Sequence, residues 1–299
     1  MFILNKTLST LVPFIPKSIT YQIAKRYVAG INKRSALEVV KELNDKGYSA
    51  TLDILGEHTQ TSNQANQITN EYIEIYDQIE SLGLDCNISL KPTHIGADLS
   101  TDIFYANLEK IIDVSERTNN FLRIDMESSK YTDLTINTFN DFKKKNVSIG
   151  TVFQAYLHRT FNDIKKIDTN NLNFRLCKGI YKENNQICIN DRKKINDNYL
   201  KILRYAFEND IYIGIATHDT ELLNFIYILI DEFKVASNRF EFQVLYGVPM
   251  HGWNKKNLSN GYKVRIYVPF GDDWYKYSIR RLKENPDIAG YVLKNFFSK

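Results

Sequence analysis

Two groups of residues in this chain could do chemistry. The first is a pair of adjacent arginines, Arg280 and Arg281, with Tyr277 before them and Glu284 after. At about 100° per residue these four fall on one face of a helix whose other face carries Tyr275, Ile279 and Leu282. Each guanidinium is a planar fork of donors, so two of them beside a phenol suit a small carboxylate. On a merely solvated helix face the same residues would make an i,i+4 pair between Arg280 and Glu284, which contributes little. The second group recurs at the ends of apolar runs: Glu57, Lys91, Asp125 with Met126 and Glu127, Gln154 with Tyr156, Arg175 with Lys178 and Gly179, Thr217 with His218 and Asp219, Leu245 with Tyr246, and Tyr267.

Three chemistries can be assembled from the second group. A hydrolytic metal site would draw on Asp53, Asp125, Glu127 and His218, but one histidine among carboxylates is a poor zinc set, and no metal is expected. A Schiff-base lyase would use Lys91 or Lys178, because a lysine desolvated at a strand end can act as a nucleophile. A planar redox cofactor would take Arg175 and Gln154 as donors to its heteroatoms, together with backbone amides near Gly179. Only the redox reading gives the arginines and tyrosines around the last strand and helix a purpose. A barrel that binds an amino acid without turning it over is a further alternative. Structural roles stand beside all of these. Glu57 and Asp125 could pair with Arg175 or Lys178, His218 could be a satisfied buried histidine, and Gln154 could bridge backbone groups.

The elements that must carry these residues alternate along the chain. Strand patterns cover residues 49–57, 86–92, 120–127, 147–156, 172–179, 211–218, 240–246 and 263–269. Helical patterns follow them over 62–82, 102–117, 132–145, 160–167, 191–209 and 221–234. The last strand turns at Pro269-Phe270-Gly271, and Asp272 or Asp273 can cap the arginine-bearing helix. Such alternation without long low-complexity linkers indicates an α/β fold, a (βα)8 barrel with its last helix over the barrel mouth. Reacting residues in these barrels stand at the C-terminal strand ends, where the second group falls. An open doubly wound sheet is the alternative, but no GxGxxG or GxxxxGK follows any strand. Residues 1–48 read as a helical lead-in, with patterns over 19–30 and 36–47 closed by Gly30 and Gly47, and the barrel takes 49–299.

A length of 299 residues holds such a barrel as one unit. The formal net charge of +4 is spread along the chain, so nucleic-acid binding is not expected, while weak attraction to an anionic membrane surface is allowed. Cys86, Cys177 and Cys188 lack zinc-site spacing and fit reduced thiols in a cytosol. The first 16 residues are apolar, but they contain prolines and no small-residue cleavage site, which argues against a signal peptide. No apolar run reaches the roughly 20 residues needed to span a bilayer. The expected location is cytoplasmic, with at most peripheral contact on the inner face of the cell membrane.

A series of motifs then stands in order: LGE at 55–57, SLKPTHIG at 89–96, RIDME at 123–127, QAY at 154–156, RLCKGIY at 175–181, ATH at 216–218, EFQVLYG at 241–247, and IYVPFG followed by YSIRRLKEN at 277–285. Each is weak alone. Together they resemble the proline dehydrogenase family in its single-function bacterial form, across nearly the whole chain from Leu55 on.

The resemblance implies FAD-dependent oxidation of L-proline to Δ1-pyrroline-5-carboxylate, by hydride transfer from C5 to flavin N5, with a membrane quinone taking the electrons. It implies that Arg280 and Arg281 clamp the proline carboxylate, that Lys91 assists, and that Leu245, Tyr267 and Tyr277 wall the ring. Asp125 and Arg175 become the central active-site pair, Arg175 lying near N5. Met126, Gln154, the Lys178-Gly179-Ile180 loop, Thr217 and His218 would hold FAD. Glu284 belongs to the same site and would pair with Arg175 or Arg281 to order the last helix. Three positions depart from the family pattern. Ile180 stands where many relatives have a small residue, Lys182 where two-function relatives have an aromatic, and Asp219 where Asn is common. The DNA-binding and aldehyde dehydrogenase segments of the two-function forms are lacking, which implies the first oxidation only.

Overall fold

Eight short apolar runs become the strands of a closed, all-parallel barrel in chain order. They are β1 (Ser49–Ile54), β2 (Cys86–Leu90), β3 (Leu122–Ile124), β4 (Ile149–Gln154), β5 (Asn173–Cys177), β6 (Tyr212–Ala216), β7 (Phe240–Leu245) and β8 (Val264–Phe270). The computed structural model describes residues 24–145 and 147–284, the side chains of 280–284 excepted. Helices follow the strands: α1 (Lys33–Asn44) before β1, then α2 (Ser62–Ser81), α3 (Thr101–Arg117), α4 (Thr132–Lys144), α5 (Thr160–Lys165), α6 (Arg192–Glu208), α7 (Thr220–Glu232), α8 (Trp253–Ser259) and α9 (Trp274–Glu284). Pairing of β1 with β8, from Ser49 opposite Arg265 to Ile54 opposite Phe270, closes the ring.

Because helices cover the outside and side chains fill the inside, the strands are buried on both faces. The outward residues are aliphatic and aromatic, such as Ile88, Leu90, Leu122, Ile124, Phe153 and Leu176. They pack in one core with Ile75 and Tyr76 of α2, Leu108 and Ile111 of α3, and Ile202 and Leu203 of α6. Burying each such side chain stabilises the fold by roughly 1.5–3 kcal/mol. Helix starts are marked by side chains that accept otherwise unsatisfied amides: Asn32 for α1, Thr61 for α2, Ser100 for α3, Asp191 for α6 and Asp219 for α7.

All eight expected strands are present, but most are shorter than their sequence patterns at the C-terminal end. The third, expected over 120–127, pairs only over Leu122–Ile124. Beyond it Asp125 makes one last bond, from its amide to the Leu90 carbonyl at 2.8 Å, before the chain leaves the sheet. The polar site residues keep the strand alternation going into loops. Helix α8 was not anticipated, because in WNKKNLS only Trp253 and Leu258 are apolar, and their spacing of five gives no helical period to read.

The expected helix over 36–47 is observed as Lys33–Asn44 followed by a turn through Gly47 at φ 83°. Of the one expected over 19–30, only its final turn lies within the described residues, with Tyr27 and Val28 both bonded to the Ala24 carbonyl at 2.8 Å. The lead-in is tied to the end of β8: Ala29 donates to the Pro269 carbonyl at 2.9 Å, and Gly271 to that of Gly30 at 3.1 Å. A Cβ at Gly247 would stand 1.5 Å from the Arg26 carbonyl oxygen, so the β7 loop passes this segment only as glycine. Among the described residues no helix is long and apolar enough to cross a membrane.

Candidate active site

The C-terminal ends of β1, β2, β3, β5 and β8 bring one connected polar set to the barrel mouth. Arg175 on β5 donates from Nη1 to Asp125 Oδ1 at 2.7 Å and from Nη2 to Ser89 Oγ at 3.0 Å. Its Nε donates to Gln243 Oε1 on β7. Tyr267 on β8 donates to Asp125 Oδ2 at 2.9 Å and lays its ring 5.1 Å from the Arg175 guanidinium carbon. Ser89 also bonds Asp125 Oδ1 at 3.0 Å. Beside this group Lys91 holds Asp53 through both carboxylate oxygens, at 2.6 and 2.7 Å.

The electrostatics follow from burial. Asp53 is 1% exposed, and desolvation, outweighing Lys91 and helped by the charge of Asp125, pushes its carboxyl up to about 6. Burial works against the Lys91 ammonium, but Asp53, Asp125 and Glu57 outweigh it and hold its pKa above the ordinary value. Tyr267 is driven well above the usual tyrosine range by burial and by both aspartates, so it stays a hydrogen donor. One loop further, Glu127 accepts from the Thr93 amide at 2.9 Å and hydroxyl at 2.5 Å. Burial lifts its carboxyl to about 7 against those bonds and Lys91.

Around the mouth the remaining residues take definite places. Gln154 donates to the Met126 carbonyl at 3.4 Å, while its Oε1 is buried without a partner among the described residues. Gly179, at φ 109°, lies against the Tyr156 ring, where a Cβ would come within 2.1 Å of a ring carbon. Ile180 next to it is 46% exposed. Lys178 bonds Asp219 Oδ2 at 2.5 Å, and Oδ1 of the same aspartate caps α7. Burial alone would raise Asp219, but Lys178 and the Leu222 amide hold it well below the carboxylate range. An asparagine could cap α7 equally but could not carry this ion pair. Thr217 Oγ1 accepts from the Asp219 amide at 3.1 Å. His218 Nε2 accepts from the Leu245 amide at 2.9 Å, joining the ends of β6 and β7. Glu57 receives the Tyr181 hydroxyl at 3.3 Å, so the loop after β5 reaches the loop after β1. Tyr277 is buried on α9; the side chains of Arg280, Arg281 and Glu284 lie outside the described residues.

The four acids and bases of the metal alternative are dispersed. Asp53 goes to Lys91, Asp125 to Arg175, Glu127 to Thr93 and His218 to a backbone amide. Among the described residues no three His, Cys, Asp or Glu gather as a metal would need.

Sequence reasoning passed over Ser89, Gln243 and Glu241, and it considered Asp53 only as a metal ligand. A signal for three of these exists. Side chains alternate along a strand, so the residue two before an inward strand-end group also faces the barrel interior. Ser89 precedes Lys91 by that step, Gln243 precedes Leu245, and Glu241 precedes Gln243.

Comparison with known proteins agrees with this geometry. The family model described as proline dehydrogenase matches residues 36–293. The chain is 36% identical over 277 residues to Proline dehydrogenase 2 of Bacillus subtilis (strain 168), covering 92% of this chain and 91% of that one. It is 29% identical over 281 residues to a proline dehydrogenase of Deinococcus radiodurans, covering 92% and 90%. Among solved structures, proline utilization A from Bdellovibrio bacteriovorus, inactivated by N-propargylglycine, superposes with a TM-score of 0.82 at 24% identity. That match covers 89% of this chain and 33% of the longer protein, and it shows the shared barrel fold. With its family model spanning nearly the whole barrel and relatives matched along almost their full lengths, the chain belongs to the proline dehydrogenase family and is an oxidoreductase with proline dehydrogenase activity.

Proposed function

We propose that the enzyme oxidises L-proline to Δ1-pyrroline-5-carboxylate with FAD seated in the barrel mouth, and that a quinone takes the electrons. The supporting observation is the single bonded set of Asp125, Arg175, Ser89 and Tyr267, with the Lys91–Asp53 pair beside it. The chemistry of the donor set fits a flavin: among the described residues Gln154 keeps a buried acceptor without a partner, beside the Arg175 guanidinium and the Lys178-Gly179-Ile180 loop. Met126, Gln154, Lys178, Gly179, Ile180, Thr217 and His218 would hold the cofactor, with Glu284 ordering α9 at the same site. When bound, FAD would supply the two-electron acceptor for the hydride that leaves proline C5.

The chain's own residues do the rest. Arg280 and Arg281 clamp the carboxylate. An ammonium has three donors, and Asp53 takes two from Lys91, leaving one N–H for the same carboxylate. Leu245, Tyr267 and Tyr277 confine the ring so that its reacting carbon is held close, the near-attack condition worth several orders of magnitude in rate. Arg175, fixed by Asp125, Ser89 and Gln243, offers positive charge where negative charge develops. A Schiff-base role for Lys91 is disfavoured because a lysine bound to both oxygens of an aspartate, with its pKa raised, keeps its proton. We place the enzyme in the cytoplasm with peripheral membrane contact, supported by its net charge of +4 and the quinone acceptor.

The test is one spectrum. Purified protein should absorb as oxidised flavin between about 350 and 500 nm and bleach when proline is added without oxygen. Colourless protein that borohydride links to its substrate at Lys91 or Lys178 would replace this reading with the lyase.

A further inference from the structure

Behind Arg175 the barrel interior holds a row of polar residues to which the reaction assigns nothing. Gln243 and Glu241 occupy alternate positions of β7 and are 3% and 2% exposed. Gln243 Oε1 accepts from Arg175 Nε, and its Nε2 donates to Glu241 Oε1 at 2.5 Å. The same Glu241 oxygen accepts from Arg265 Nε at 2.8 Å, and Arg265 Nη1 is anchored to the Ala50 carbonyl at 2.6 Å. A continuous chain of bonds thus runs from the backbone of β1 to the guanidinium beside Asp125.

The polarity of this chain is set at Glu241. An amide can turn either its oxygen or its NH2 toward a neighbour, whereas a carboxylate only accepts. Burial alone would raise the Glu241 carboxyl, but the charge and hydrogen bond of Arg265 prevail and hold it down to about 2. The NH2 of Gln243 must therefore face Glu241, which leaves its oxygen for Arg175. The amide fits because the adjacent strand β6 carries glycine at 214, where a Cβ would stand 2.5 Å from Gln243 Nε2. With Nε on Gln243, Nη1 on Asp125 and Nη2 on Ser89, the guanidinium plane is fixed by acceptors on three strands.

We propose that Gln243 is a positioning residue for Arg175, with its amide oriented by Glu241 and admitted by Gly214. The inference rests on Arg175 serving the proline dehydrogenase reaction as proposed above, and the experiment separates the two. In Q243L the acceptor for Arg175 Nε is gone. In Q243E a second carboxylate meets Glu241 where the NH2 had donated, and the bond that orders the side chain at 243 is lost. Q243L and Q243E should each lower kcat about tenfold, the scale of one misdirected hydrogen bond, with KM for proline changed much less. E241Q alone should stay near wild type, because its amide oxygen can replace Oε1, which takes both the Gln243 and the Arg265 bonds. The exchange E241Q/Q243E restores the order of donors and acceptors from Arg265 to Arg175, and should recover kcat to within about threefold of wild type. A residue that only fills space would not be rescued by this swap.

G214A is an independent probe should the charge exchange fail to fold. The three atoms nearest its methyl group all belong to the flexible end of Gln243, so the fold should survive and kcat should fall as in Q243L. A double variant as slow as the product of its parts, or a G214A enzyme with wild-type kcat, would overturn the inference. If Q243L is fast while Arg175→Met is slow, only the inference fails; if Arg175→Met is itself fast, the reading of Arg175 fails with it.

Discussion

The barrel interior carries buried charge at both ends, and the two ends are bonded differently. At the floor the cations reach main chain. Arg265 donates to the Ala50 carbonyl at 2.6 Å, and Arg123 to those of Thr151 at 3.0 Å and Asn173 at 3.3 Å. At the mouth, among the described residues, the Arg175 guanidinium and the Lys91 ammonium bond side chains alone: Asp125, Ser89 and Gln243 for one, Asp53 for the other. The acids diverge in the same sense. Glu241 at the floor is held at about 2, while Asp53 and Glu127 at the mouth are lifted to about 6 and 7. A buried ion pair by itself is weak evidence of function. The informative difference is whether its donors are spent on the scaffold or on groups that a ligand can share.

If that distinction holds, the two ends should fail in different ways. Arg175→Met should lower kcat by about 10²–10³-fold, the usual cost of losing a preorganised charge at the reacting centre, in protein whose circular dichroism matches wild type. Dye-linked proline oxidation measures it. At the floor, Arg123→Met strips hydrogen bonds from two backbone carbonyls, and unfolding in urea should show a loss of about 2–3 kcal/mol. Its kcat should stay within about twofold of wild type. An Arg123→Met enzyme as slow as Arg175→Met would erase the contrast between floor and mouth.

The same contrast accounts for what could be read from sequence. The barrel was legible because eight short apolar runs alternate with helical patterns, the order that a parallel sheet covered by helices requires. Helix α8 was not, since its two apolar residues, Trp253 and Leu258, stand five apart and mark no helical face. At the mouth, Lys91 and Asp125 were legible because each directly follows its strand, and Arg175 and Tyr267 because each puts a polar side chain into an apolar strand where barrel packing needs none. Their partners were harder to see. Ser89, Gln243 and Glu241 lie inside strands, where a polar residue looks like noise in an apolar run until the two-residue alternation is followed inward. Gly214 and Gly150 give no sign in sequence of what they admit. In the fold, one makes room for Gln243 and the other for Arg123, whose Nη1 would lie 2.5 Å from a Cβ at 150. The use of His218 was equally hidden: its Nε2 takes a backbone amide, a partner that no spacing rule identifies.

Titration sharpens the comparison with the smallest expected effect. Glu127 ties down the loop after β2 through Thr93, whose hydroxyl in turn accepts the His58 amide at 3.1 Å. Its folded pKa, about 7, lies above the ordinary glutamate value of 4.5. A carboxyl raised on folding contributes stability that is complete below the unfolded pKa and is lost as pH rises through the folded one. The wild type should therefore lose stability relative to Glu127→Gln between about pH 4.5 and 7, by at most about 3 kcal/mol, and the difference should level off above that range. Glu241 has the opposite sign: its folded pKa of about 2 lies below 4.5, so its contribution is present above pH 4.5 and is lost as the pH falls toward 2. Urea unfolding of wild type and Glu127→Gln from pH 4.5 to 8 reads the mouth acid alone. A wild type that holds constant, or gains stability, relative to Glu127→Gln as the pH rises would mean Glu127 is held in the manner of Glu241, and the division between a titratable mouth and a locked floor would not stand.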